Sequence, residues 1–160
     1  MESYALLVAA TLNAGTVLAI AALGLLINER AGVVNLGAEG MMLCAAIAGF
    51  ATVVHTGSDG LGFLAGMGAG ALLAAVFGVL VIYLSTNQYA TGLALSLFGV
   101  GFSAFVGIGY VQEKLPQRPS FEIPFLADIP LLGSAFFKQH PLVYGVIAFV
   151  FGLMWFLYKT

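Results

Sequence analysis

Charged residues are scarce in this sequence. Only 8% of its 160 residues are Asp, Glu, Lys or Arg, whereas a soluble domain carries about 25%. Hydrophobic residues make up 61%, and the mean hydropathy is +1.06. This composition excludes an ordinary soluble domain. The five basic residues are scattered, so the sequence also predicts no nucleic-acid partner.

Residues for catalysis or metal binding are equally sparse. Cys44 is the only cysteine, so no internal disulfide can form. His55 lies eleven residues from Cys44, about 16 Å along a helix, which is too far for a thiolate–imidazolium pair. The Cys, His and carboxylate residues of this sequence do not show the spacing of a metal site. We therefore predict no catalytic residues, no metal and no bound cofactor, and we do not expect an enzyme.

Long apolar runs are what the sequence has instead. A helix needs about 20 apolar residues to cross the hydrocarbon of a bilayer. Five stretches meet or approach that length: Tyr4–Ile27, Gly40–Thr56, Leu61–Leu84, Tyr89–Val111 and Leu142–Tyr158. We predict an all-α, polytopic membrane protein with about five transmembrane helices, in which residues 1–160 form one transmembrane domain.

The segment 112–140 differs from these runs in composition. All five prolines lie beyond residue 115, and the segment holds six of the twelve charged residues. Proline-rich backbone cannot satisfy its own hydrogen bonds in lipid. We therefore predict a loop outside the hydrocarbon, whose apolar side chains rest on the membrane interface or on the mouth of the bundle.

A polar hairpin, Ile27–Met42, separates the first two apolar runs. Its polar side chains are Asn28, Glu29, Arg30, Asn35 and Glu39. Ionisable groups next to hydrocarbon are costly, so they are functional candidates by default. The simpler interpretation is a solvated loop, in which Asn35 is the N-cap of the second helix and Glu39 lies in its first turn.

The hairpin also has three glycines, Gly32, Gly37 and Gly40. They are not followed by Gly-Lys-Ser/Thr, which excludes a nucleotide-binding loop. They could instead break the helix at membrane depth, so that backbone N–H groups and Asn35 face a polar route. The sequence leaves this interpretation open beside the solvated loop.

A second polar point, Asn87 and Gln88, opens the fourth apolar run. These residues could cap the helix, or they could form hydrogen bonds with a hydroxyl-rich or heterocyclic cargo. With Asn35 and Glu39, they are the predicted substrate-path residues.

Small residues recur at four-residue spacing in the third and fourth runs. They are Gly62, Gly66, Gly70, Ala74 and Gly78 in the third, and Gly99, Ser103 and Gly107 in the fourth. In lipid, helices associate through close backbone approach, and such faces mark tight interfaces. We predict that these residues pack helix against helix.

Three segments carry a resemblance to a known family. The run ERAGVVNLGAEGMM (Glu29–Met42) resembles the permease subunits of bacterial ABC importers for nucleosides and simple sugars. Branched-chain-amino-acid-type permeases are more distant relatives. TNQYATGLALSLF (Thr86–Phe98) resembles the family's second recurring element, and IPFLADIPLLGSAFFKQHPLVY (Ile123–Tyr144) resembles its periplasmic connection.

The resemblance implies partners and an orientation. Two permease chains form the pore, two cytoplasmic ATPase subunits drive alternating access, and an extracytoplasmic binding protein delivers a small-molecule cargo. ATP is used by the separate subunits. Residues 112–140 would lie outside and Lys159 at the cytoplasmic surface of the bacterial inner membrane. Family members continue past the position of Thr160, so we expect the C-terminal half of the family domain to be absent here.

Two other functions remain open from the residues themselves. An ion- or proton-coupled carrier needs titratable groups at mid-membrane, and only Glu39 is suggestively placed. A non-transporting membrane scaffold would use the small-residue faces for assembly alone.

Overall fold

The structure, a computed structural model, describes residues 2–115 and 141–159. Its helices are α1 (Glu2–Arg30), α2 (Ala38–Thr56), α3 (Asp59–Gly78), α4 (Gln88–Gly107) and α5 (Pro141–Lys159). A π-helical turn, Val79–Tyr83, extends α3, and a 3₁₀ turn, Ile108–Tyr110, extends α4. The described residues contain no strand, which confirms the all-α class. From residue 116 on, the predicted loop 112–140 lies outside the described residues.

Within this part of the chain, four helical segments are long and apolar enough to cross a membrane. They are Leu7–Arg30, Ala38–Thr56, Asp59–Tyr83 and Gln88–Tyr110. A fifth apolar helix, Val143–Lys159, is shorter. The fold is therefore that of a polytopic helical membrane protein.

The described residues fall into two compact units, residues 2–26 with 141–159, and residues 27–115. In the first unit, α1 and α5 border an apolar groove of about 240 Å³. At the end of α5, the Lys159 amine lies 5.0 Å from the ring centre of Trp155, a cation–π contact. Tryptophan beside a basic residue at the end of an apolar helix is typical of the membrane–water interface.

The second unit is built around α2, which packs on both α3 and α4. The connection from α2 to α3 is short because Gly57 adopts a left-handed conformation (φ +66°), and its N–H donates to the Val53 carbonyl. A glycine in this conformation is a common way to end a helix. As a result, α3 returns antiparallel to α2.

Small residues bring α2 and α3 together. A methyl group added at Gly49 would lie 3.0 Å from the Gly62 carbonyl oxygen, and one at Gly66 would lie 3.0 Å from that of Ala45. In both places the neighbour is backbone, so a side chain has no room. The two helices thus approach at main-chain distance, as small-residue interfaces in membranes do.

The contact between α2 and α4 is closer still, and the two helices run in the same direction. A methyl group at Gly40 would lie 2.5 Å from the Leu95 carbonyl oxygen, and one at Gly99 would overlap the Gly40 backbone. At the other end, His55 Nε2 lies 2.9 Å from the Tyr110 hydroxyl. Glycines therefore form the contact near the start of α2 and the middle of α4, and the His55 and Tyr110 rings form it at the far end.

Several threonine hydroxyls bond to their own helix. Each donates to the carbonyl four residues earlier, at 2.6–2.8 Å: Thr11 to Leu7, Thr16 to Leu12, Thr52 to Ala48 and Thr56 to Thr52. These hydroxyls need no partner on another helix.

Candidate functional site

The polar hairpin begins with a break in α1 directly after Arg30. The Gly32 N–H donates to the Glu29 carbonyl at 3.0 Å, and the Val33 N–H donates to the Asn28 carbonyl at 2.9 Å. Gly32 has φ +81°, a conformation that costs glycine little and most other residues more. The backbone then runs without helical structure from Val33 to Asn35 before α2 begins.

Asn35 is the buried polar residue of the hairpin, with 7% of its surface exposed. Its Oδ1 accepts from the Gly37 N–H at 2.9 Å, and its Nδ2 lies 3.7 Å from the Met41 sulfur. The prediction that Asn35 is the N-cap of α2 was wrong, because Gly37 holds that position. Asparagine readily bonds the N–H two residues onward, so Asn35 closes a turn just before the helix.

The charged residues of the hairpin are in helices and on the surface. Glu29 and Arg30 belong to the last turn of α1 and are exposed. The interpretation that placed them in a loop is therefore corrected. Glu39 is exposed in the first turn of α2, where a carboxylate complements the helix dipole. Gly40 lies inside α2 and does not break it.

One face of α4 receives the non-helical part of the hairpin. We call Gln88, Gly92 and Ser96 the α4 seat; their spacing of four places them on one side of the helix. Gln88 Oε1 accepts from the Val34 N–H at 3.0 Å, and the Ser96 hydroxyl donates to the Leu36 carbonyl at 3.3 Å. Between them, a methyl group at Gly92 would lie 2.9 Å from the Leu36 nitrogen. The seat thus holds the hairpin backbone at main-chain distance.

Asn87 is the N-cap of α4. Its Oδ1 accepts from the N–H groups of Tyr89 and Ala90, at 3.0 and 3.1 Å. The connection before it contains Ser85 in a left-handed conformation (φ +51°). Of the predicted substrate-path residues, Gln88 thus contacts the hairpin and Asn35 is buried within it, whereas Glu39 and Asn87 are exposed.

We expect Asn87→Ala to loosen the first turn of α4, because the Tyr89 and Ala90 N–H groups lose their acceptor. Loss of such a cap costs about 1 kcal/mol, which corresponds to a roughly fivefold larger population of the locally opened state and so to faster exchange. Hydrogen exchange of these amides, measured by mass spectrometry on detergent-solubilised protein, checks this. Asn87→Asp keeps the acceptor and serves as the control. Equal exchange in the alanine variant and the parent would contradict the expectation.

The remaining predicted packing residues differ in their surroundings. A methyl group added at Gly70 would lie 3.7 Å from Ala45 Cβ, and one added at Gly107 would lie 3.9 Å from Ile47 Cδ1. The Ser103 hydroxyl donates to the Val100 carbonyl of its own helix. At Gly78, a methyl group would meet nothing within 4 Å among the described residues.

Sequence reasoning missed two residues of the α4 seat, Gly92 and Ser96. Their signal was present: positions 88, 92, 96 and 99 carry Gln, Gly, Ser and Gly, a polar and small stripe on one side of a helix. What no spacing could indicate was that non-helical backbone lies against Gln88, Gly92 and Ser96, whereas α2 lies against Gly99.

The apolar helices, with the non-helical backbone that connects α1 to α2, define an integral membrane protein. The chain belongs to the family of branched-chain amino acid transport system permease components, which matches residues 7–160. This is a family of transporter permeases rather than enzymes. The match confirms the resemblance found in the sequence.

Curated relatives are ABC transporter permeases. A putative glucose ABC transporter permease of Haloferax volcanii is 43% identical over 164 residues, covering 100% of this chain and 50% of the relative. A guanosine permease of Bacillus subtilis is 33% identical, covering 87% and 47%. A nucleoside permease of Lactococcus lactis is 31% identical, covering 100% and 54%.

The chain spans about half the length of these curated relatives. No solved structure matches it.

Proposed function

We propose that the chain is part of the pore-forming permease subunit of an ATP-driven importer in the bacterial inner membrane. The observation that carries this proposal is the 43% identity, along the whole chain, to a putative glucose ABC transporter permease. The family match over residues 7–160 supports the same class of protein. Energy would come from separate cytoplasmic ATPase subunits, so this chain needs no cofactor of its own.

The proposed cargo is a nucleoside or a related simple sugar. The names of the relatives specify glucose, guanosine and nucleosides. These compounds share a hydroxyl-bearing sugar ring. A neutral, hydroxyl-rich solute is recognised by hydrogen-bonding side chains rather than by charge. This agrees with the exposed hydroxyl and amide side chains just before α4, which are Ser85, Thr86 and Asn87.

We further propose that the polar hairpin, which includes Asn35 and Glu39, borders the solute route. Asn87 and Gln88, where α4 begins, border it as well. The support is the non-helical backbone between Arg30 and Ala38, within a unit of membrane-length helices. Such backbone is tolerated at membrane depth where it is buried in protein or lines an aqueous cavity. A second permease subunit would complete the pore, and an extracytoplasmic binding protein would deliver cargo on the side of residues 112–140.

The test is reconstitution of the complete gene product with its ATPase and binding protein in liposomes. We expect uptake of labelled glucose or guanosine that requires ATP at the ATPase face, and ATP hydrolysis stimulated by the loaded binding protein. An ATPase variant that lacks its Walker lysine is the control, and its uptake should fall to background. Uptake that persists without ATP, and collapses with an uncoupler, would instead establish an ion-coupled carrier.

A further inference from the structure

Two side chains of α4 bond to the non-helical segment of the hairpin. One bond joins the Val34 N–H to Gln88, and one joins the Leu36 carbonyl to Ser96. Both partners lie on α4, two turns apart. At the end of the segment nearer α1 is Gly32, which has a left-handed backbone conformation. The segment is therefore tied to α4 by two side chains and connected to α1 through a glycine turn.

The orientation of the Gln88 amide follows from its partner. The Val34 N–H is a donor, so the amide atom that faces it must be the oxygen. A half-buried Gln88 thus acts as an acceptor toward the hairpin. The carbonyl oxygen of the Gln88 side chain thus holds the hairpin backbone at Val34 in place.

We propose that Gln88 and Ser96 are positioning residues of the permease: they hold Val34–Leu36 on α4 and thereby fix the hairpin beside the solute route. The positioning role in transport rests on the proposed function, whereas the tether itself does not. Gly92 belongs to the same device, because only a residue without Cβ lets the Leu36 nitrogen approach the helix so closely. Gln88 then affects cargo through the hairpin and not by direct contact.

A labelling experiment tests the tether without reference to transport. A single cysteine replaces Leu36, whose side chain is 43% exposed, in the full-length protein in membranes with Cys44→Ala. Its reaction rate with a water-soluble maleimide is then measured. We expect Gln88→Met and Ser96→Ala each to raise the rate about fivefold, the factor that loss of one intramolecular hydrogen bond gives.

Two controls sharpen this result. Gln88→Glu keeps an acceptor oxygen for the Val34 N–H, so its labelling rate should stay near that of the parent. A cysteine at Leu84, which is 60% exposed before α4 and outside the seat, should react equally in all variants. If Gln88→Met leaves the rate at position 36 unchanged, the tether is overturned. A general rise at positions 36 and 84 would show loss of folding and would also overturn it.

Transport separates the positioning role from the tether. In the reconstituted system, Gln88→Met should lower uptake about fivefold, and Gln88→Glu should restore a large part of it. If Glu fails as badly as Met while its labelling rate is normal, Gln88 contacts cargo directly and the positioning role is wrong. If the parent protein itself shows no ATP-dependent uptake, the proposed function fails, and the labelling rates still decide whether the tether exists.

Discussion

Gly99→Ala is expected to prevent α2 from packing on α4. The added methyl group would overlap the main chain of Gly40, and α2 itself would have to move because no flexible side chain can turn aside. Overpacking in a tight interior costs about 1–3 kcal/mol, and a backbone obstacle puts this site at the upper end. The measurement is the temperature at which the detergent-solubilised protein loses its monodisperse peak on gel filtration.

Position 101 offers a matched control on the same helix. A methyl group at Gly101 would meet nothing within 4 Å, and alanine has the better helix propensity. Gly101→Ala should therefore leave the transition temperature unchanged or raise it slightly. Equal transition temperatures for the two alanine variants would show that the α2–α4 contact does not exist in the folded protein.

The second large effect is expected from Asn35→Leu. Leucine fills a similar volume but cannot accept from the buried Gly37 N–H, which has its acceptor in Asn35 Oδ1. A buried donor left unsatisfied costs about 1–3 kcal/mol. We expect a lower midpoint in a denaturant titration of the solubilised protein, followed by circular dichroism.

Asn35→Ser distinguishes this explanation from a requirement for size. A serine hydroxyl can accept from the N–H two residues onward, although more weakly than an asparagine side chain does. The serine variant should therefore fall between Asn35→Leu and the parent, despite its smaller volume. A serine variant less stable than the leucine variant would mean that volume, and not the hydrogen bond to Gly37, is what position 35 requires.

The all-α class was predictable because the length of each apolar run can be read directly from the order of the residues. The apolar runs and the position of the polar hairpin follow directly from the residues. The π-helical end of α3 was not predictable, since the run Leu61–Leu84 has the same apolar character throughout. That end involves bonds made from outside the helix: the Thr86 N–H and hydroxyl both donate to the Leu80 carbonyl.

The candidate site was predictable in kind but not in arrangement. Polar residues between apolar runs drew attention to Asn35 and Gln88, because such residues are unusual next to hydrocarbon, and both bond to the hairpin backbone. Their partners could not be inferred: the bond from Val34 to Gln88 joins residues 54 positions apart. The N-cap of α2 was misplaced because asparagine satisfies either a cap or a turn with nearly the same local geometry.

The threonines that bond to their own helices change how these spans meet lipid. A hydroxyl that already donates to a carbonyl leaves no unsatisfied donor when it enters hydrocarbon. Hydropathy scales therefore overstate the free-energy cost of placing such a threonine in the membrane. Thr11 and Thr16 in α1 therefore behave almost as aliphatic residues. Counting the side-chain oxygen atoms along α1 would therefore overestimate how polar its surface is.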